Sequence, residues 1–258
     1  MSKSRIPKNE YQQILKETII RKSRMKGFSS CIKTCEMPNA KSNDPAEAYK
    51  VKVLIETIRD GGYDIFDIAV AASGCVVTND SDTHAKNRSF EKFLGGRCDG
   101  DSKPDCEWGE IKLSQIVKDH TLEQVMTVGR IYKTDKGVRK IADNFKESSV
   151  YNKLKNCSIT TYKQKGKQLG SEISKSFVFR VDDPVWFNRI KEDWEFYRNE
   201  FLERQKLLAA GKIKKRASGI MKSDTMGKRS PNGTLGIRSD GIIFNKEFFK
   251  EVSKYYDK

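Results

Sequence analysis

Ser102-Lys-Pro-Asp-Cys-Glu-Trp-Gly-Glu-Ile-Lys-Leu113 is the stretch on which the fold turns. Its second half, Trp108-Gly-Glu-Ile-Lys-Leu113, alternates charged with apolar positions, the period of a strand with one packed face. Successive strand side chains point to opposite faces, so Glu110 and Lys112 share one face while Ile111 and Leu113 pack behind them. Asp105 lies just upstream. Two carboxylates and an ammonium converging on one point suit Mg²⁺-assisted hydrolysis of a phosphodiester: hard oxygens hold the ion, and the lysine meets the attacking water or the phosphate. The bare pattern is weak. With 33% of residues charged, an acid two positions before a lysine arises readily by chance, and Asp101-Ser-Lys103 in the adjacent loop is such a pair. A solvated, salt-bridged strand face is the plain alternative.

The chain has 258 residues, enough for a substantial core in one domain or two closely packed lobes. Fifty Lys and Arg against 35 Asp and Glu give a formal charge of +15. That imbalance favours binding to phosphate backbones and so indicates a partner class, but it says nothing about catalysis. No apolar run approaches the roughly 20 residues of a membrane span. The opening Met-Ser-Lys-Ser-Arg-Ile-Pro-Lys leads into a polar amphipathic segment and not a signal sequence, so the expectation is an intracellular, cytoplasmic protein with no membrane contact. The six cysteines, Cys31, Cys35, Cys75, Cys98, Cys106 and Cys157, have only His84 and His120 beside them. A mixed metal site using Cys98 and Cys106 is conceivable, but reduced, structurally incidental thiols are the favoured reading.

Working outward, residues 8–26 read as a basic amphipathic helix and 38–45 as a loop. Helical spacing resumes over 46–60 (Ala48, Val51, Val53, Leu54, Thr57, Ile58) and stops at Gly61-Gly62. Residues 64–78 fit a helix or a buried strand, 78–88 is a polar loop, and 89–95 a short helical turn. Strands are predicted over 108–116, 158–162 and 176–181, with a helix at 149–155. Residues 124–132 fit either period. A long amphipathic helix over 185–210 carries Trp186, Ile190, Trp194, Tyr197, Phe201 and Leu208, with Gly211 as its stop. Strands flanked by helices indicate an α/β layered fold. Beyond the long helix, Lys212, Lys214, Lys215, Arg216, Lys222, Lys228 and Arg229 face one acid, Asp224, before a Ser-Pro-Asn-Gly turn at 230–233. Such a loop is either solvated or an arm that contacts a phosphate backbone.

With these residues in view, the chain resembles the MutH-like Type II restriction endonuclease family of the PD-(D/E)xK nuclease superfamily. Four pieces occur in order: Ser89-Phe-Glu91-Lys-Phe-Leu-Gly-Gly96, Ser102-Lys-Pro-Asp105 with Trp108-Gly-Glu110-Ile-Lys112, Ser149-Val-Tyr-Asn-Lys153-Leu-Lys, and Gly241-Ile-Ile-Phe-Asn-Lys246-Glu-Phe248. They span roughly 89–258. The resemblance implies a mixed central sheet flanked by helices, with a second DNA-binding lobe. It divides the chain into a basic extension over 1–40 and an endonuclease domain over 41–258. Within that domain a catalytic lobe runs to about 180 and a helical, basic-arm lobe from about 181. Glu91, Asp105 and Glu110 become the Mg²⁺ ligands, Lys112 the catalytic lysine and Lys153 a second lysine steadying the phosphate. Fewer residues separate Asp105 from Glu110 than is usual in the family, so Asp99, Asp101 and Glu107 stand as alternative ligands.

The implied partner is double-stranded DNA, cut as a short palindrome by a homodimer, with GATC the family's best-known target. DNA contacts fall to Lys86, Arg88, Lys214, Lys215, Arg216, Lys228 and Arg229. Two further readings stand beside restriction: a mismatch-repair nicking enzyme switched on by a partner, and a non-catalytic basic DNA-binding protein.

Overall fold

In the computed structural model, residues 35–63, 90–96, 103–135, 138–164, 171–213, 229–238 and 241–257 are described. The predicted helix over 8–26, the segment 64–88 with Lys86 and Arg88, Asp99 and Asp101, and the arm residues Lys214, Lys215, Arg216 and Lys228 lie outside them.

Helix α1 (Glu47–Asp60) buries Ala48, Val51, Leu54, Ile55 and Ile58, a stripe at helical spacing. Val53, read from sequence as part of that stripe, is 52% exposed, and Ile55 takes its place in the core. The helix packs on one face of a three-stranded mixed sheet. Strand β1 (Glu110–Gln115) runs parallel to β5 (Cys157–Gln164), which pairs antiparallel with β6 (Ser171–Phe179).

Alternation sorts the two faces of this sheet. Ile111, Leu113, Ile173 and Val178 join α1 in one apolar cluster. Cys157, Ile159, Phe177 and Phe179 point the other way, into a larger core. Glu110 pairs in register with Cys157, and Lys112 with Ile159. Directly paired residues share a face, so Glu110 and Lys112 project toward the larger core, as the alternation predicts.

That core also takes helix α2 (Ser149–Leu154), the long α3 (Phe187–Ala209), and α4 (Lys246–Tyr255). It is completed by an antiparallel sheet of order β2-β8-β7, formed by Thr127–Arg130, Gly241–Phe244 and Leu235–Arg238. A hairpin of β3 (Tyr132–Asp135) and β4 (Val138–Ile141) stands beside it. The molecule is mixed α/β. Its described strands divide among three small sheets instead of one central sheet, because β2, β7 and β8 pair only with each other.

Residues 124–132, which the pattern leaves open between helix and strand, contain β2. The reason is tertiary: β2 pairs with β8, and Gly129 lies so close to α2 that a Cβ would come within 2.8 Å of the Val150 backbone. The six-residue α2 is too short to persist alone. It is held by fully buried Val150 and Leu154 and by the Ser148 hydroxyl, which accepts from Tyr151 N–H at 3.0 Å.

Asp193 is the fold's unforeseen polar residue. It lies fully buried on the apolar stripe of α3. Its carboxylate accepts from Ser230 Oγ (2.8 Å), Asn232 N–H (2.8 Å), Thr234 N–H (2.7 Å) and Thr234 Oγ (2.7 Å). A buried charge persists only when so well satisfied. Here it fastens the 230–233 turn onto α3.

Candidate functional site

Glu110 opens β1 and is fully buried. Its position depends on Gly109: the Glu110 N–H donates to Asn156 O at 3.0 Å, and a Cβ on Gly109 would fall 1.8 Å from that same oxygen. The chain end of α2 and the start of β1 are therefore in contact, which brings Lys153 to Glu110 across 43 residues of sequence.

Both lysines converge on one oxygen. Lys112 Nζ forms an ion pair with Glu110 Oε1, and Lys153 Nζ approaches the same atom at 2.8 Å. The other oxygen, Oε2, accepts from Asp105 N–H at 3.2 Å. Asp105 Oδ2 in turn accepts from Ile111 N–H at 3.1 Å, locking the turn before β1 to the strand itself. Glu91 belongs to a turn of helix at 90–93, closed by Gly96 N–H donating to Glu91 O at 2.8 Å.

The electrostatics tie all five side chains together. Burial, then the charge of Asp105, pushes the Glu91 carboxyl up to about 7, against the pull of Lys112 and Lys153. Burial, then Glu110, raises Asp105 to about 6. Burial acts on Glu110 too, but the two lysines outweigh it and hold its carboxyl below the usual range. Burial would lower Lys112, yet Glu110 and Asp105 raise it. Lys112 is therefore a firmly charged ammonium, suited to stabilise negative charge and not to accept a proton.

Of the alternatives to Asp105, Glu107 is exposed and lies outside this cluster, while Asp99 and Asp101 fall outside the described residues. Of the expected DNA contacts only Arg229 is described, and it is exposed at the start of the Asp193-anchored turn. Cys35, Cys106 and Cys157 are free thiols. Cys157, paired in register with Glu110, is buried and its thiol is pushed up by that burial, which makes it inert packing.

The donor chemistry of Glu91, Asp105 and Glu110 fits Mg²⁺: oxygen only, with no soft ligand. Two of the three carboxyls are held up by burial and like charge, a condition that a divalent cation relieves. Among the described residues, however, no group of three or more His, Cys, Asp or Glu side chains is drawn together as a metal cage. Glu110 instead spends one oxygen on the two lysines.

Among the described residues no helix is long and apolar enough to cross a membrane. No protein-family model matches the chain, and no curated protein is detectably similar to it in sequence.

Proposed function

We propose that this protein is a Mg²⁺-dependent, site-specific DNA endonuclease of the MutH-like kind, hydrolysing phosphodiester bonds in a short duplex site. One observation carries the reading: a fully buried Glu110 on β1, bridged by Lys112 and Lys153, with Asp105 and Glu91 in the same electrostatic cluster. A solvated strand face would not bury the acid, nor bring in a second lysine from a distant helix.

In this reading Glu91, Asp105 and Glu110 would hold the metal. When bound, Mg²⁺ polarises the phosphate and acidifies water. The rest falls to the protein. Lys112, kept charged by its acidic neighbours, balances the charge that builds on the phosphate oxygens as water attacks phosphorus and the P–O bond to the leaving sugar breaks. Lys153 fixes Glu110 from the opposite element and presents a second positive charge to the same phosphate. The net charge of +15 supports autonomous DNA binding, and hence restriction over a nicking enzyme that waits for a partner. GATC within a palindrome bound by a homodimer is the first target to test.

Supercoiled plasmid incubated with Mg²⁺ and no partner protein is the decisive assay. Linear fragments with a common end sequence support restriction, and a faint nicked product supports the repair role. DNA bound but uncut with Mg²⁺ or Mn²⁺ would reduce the cluster to a structural ion-pair network in a DNA-binding protein.

A further inference from the structure

Beside the carboxylate cluster lies a groove of about 670 Å³ that the reading above does not use. Its wall includes Pro104, Gly109 and Asn152, the immediate chain neighbours of Asp105, Glu110 and Lys153. Consecutive Cα atoms lie roughly 3.8 Å apart, so groove and cluster abut along the 104–110 turn and along α2.

The groove carries three cations, Lys103, Lys155 and Arg180, all exposed. Arg180 rests over the Tyr49 ring, 5.6 Å from its centroid. Lys103 and Lys155 make no ion pair among the described residues. Three carboxylates share the rim, Glu107, Glu147 and Asp182. Asp182 accepts from the Tyr151 hydroxyl at 2.9 Å, and Glu147 from Asn144 Nδ2 at 2.8 Å.

Asn156, nearly buried in the wall, is fixed in place by its Nδ2, which donates to both Pro45 O and Trp108 O and so ties the segment before α1 to the turn before β1.

We infer that this groove seats the sugar–phosphate backbone flanking the reacting phosphate, with Lys103 and Lys155 as its phosphate contacts. The inference rests on the endonuclease reading. It gives that site a track for the strand on one side of the cluster, and it makes Lys103 a binding residue though it stands in the loop pair Asp101-Ser-Lys103. Discrete lysines among committed acids fix the register of a backbone, whereas a uniform basic patch would attract any polyanion.

The test measures binding of a mixed-sequence fluorescent duplex across a KCl series, using full-length Lys112→Ala protein to prevent cleavage. Lys103→Ala and Lys155→Ala are added singly and together. Lys163→Ala serves as the charge-matched control, since Lys163 is exposed near the far end of β5 from the groove. Each groove variant should lower the slope of log affinity against log salt by about one, and the pair by about two, with Lys163→Ala leaving it unchanged. Equal slopes for all variants, in a protein whose wild type cuts DNA, would overturn the groove and leave the nuclease reading standing. A wild type that neither binds nor cuts DNA would overturn both. Unchanged thermal melting of the variants excludes unfolding as the cause of any loss.

Discussion

Raising the pH should destabilise this protein through its own candidate site, and Mg²⁺ should reverse the effect. Asp105 has its carboxyl raised from 3.8 to about 6, and Glu91 from 4.5 to about 7. Both are therefore easier to protonate in the folded chain than in the unfolded one, so folding takes up protons. Stability from these groups is greatest below their ordinary pKa values and falls as the pH rises through about 6 and 7. Between about pH 4.5 and 7.5 the Asp105 displacement is worth about 2 kcal/mol. Glu91 is partly open to solvent, and after screening its share is about 1 kcal/mol. The wild type should thus lose about 3 kcal/mol over that range, on the order of 1 M in the urea midpoint.

Urea unfolding can be followed by the fluorescence of Trp108, Trp186 and Trp194, all buried in the fold. An Asp105→Asn/Glu91→Gln variant removes both titrations while keeping shape, so its loss over the same range should be about 3 kcal/mol smaller. The comparison cancels the groups outside the cluster. Magnesium at about 100 times its dissociation constant should restore about 2.7 kcal/mol to the wild type at about pH 7.5. It should restore much less at about pH 4.5, where protons compete for the same oxygens. Parallel pH profiles for wild type and variant would refute the reasoning, because the two carboxyls would then titrate alike in both states.

Three further outcomes follow from the same geometry. Asp105→Ala should abolish cleavage while DNA binding survives, whereas Glu107→Ala, outside the cluster, should still cut; the reverse pattern in a plasmid assay would move the ligand to Glu107. Lys112→Ala should cost about 10²- to 10³-fold in single-turnover rate with little change in DNA affinity measured without metal. Lys112→Arg should recover little of that loss, since a planar guanidinium is bulkier than the ammonium now held against Glu110. Gly109→Ala should cost more than about 3 kcal/mol in urea unfolding, because its methyl group would occupy the Asn156 oxygen and break the bond that starts β1.

Local periodicity made much of this fold legible. The stripe of α1, the alternation of β1, and the Trp186, Ile190, Trp194, Tyr197 and Phe201 series of α3 each record which face meets a core. What stayed hidden was non-local. Strand β2 could not be told from a helix because Gly129's contact with Val150 and its pairing with β8 come from distant residues. Asp193 gave one faint signal, a carboxylate beside Trp194 on an apolar stripe, but its partners at 230–235 lie about forty positions away. The pairing of Lys153 with Glu110 rested on resemblance alone, since no pattern within either segment relates α2 to β1. The groove was invisible for the same reason, being assembled from segments around 45, 104, 155 and 180.

The charges around Glu110 also bear on the order of events in the proposed reaction. When all are ionised, three carboxylates face two ammonium groups, leaving the cluster one charge negative. With Glu91 titrating near 7, the unliganded cluster sits between neutral and one charge negative at physiological pH. A phosphodiester, itself an anion, therefore gains little from approaching it, for the lysines are already spent on Glu110. A divalent cation changes that balance by two units. Asp105 and Glu110 would hold such an ion, and Lys112 and Lys153, no longer balancing Glu110 alone, would have ammonium charge to offer the phosphate. On this argument Mg²⁺ and DNA should bind with positive coupling, each tightening the other by the same factor. The Lys112→Ala variant should lose part of that coupling, because it lacks one of the two charges that the metal would release.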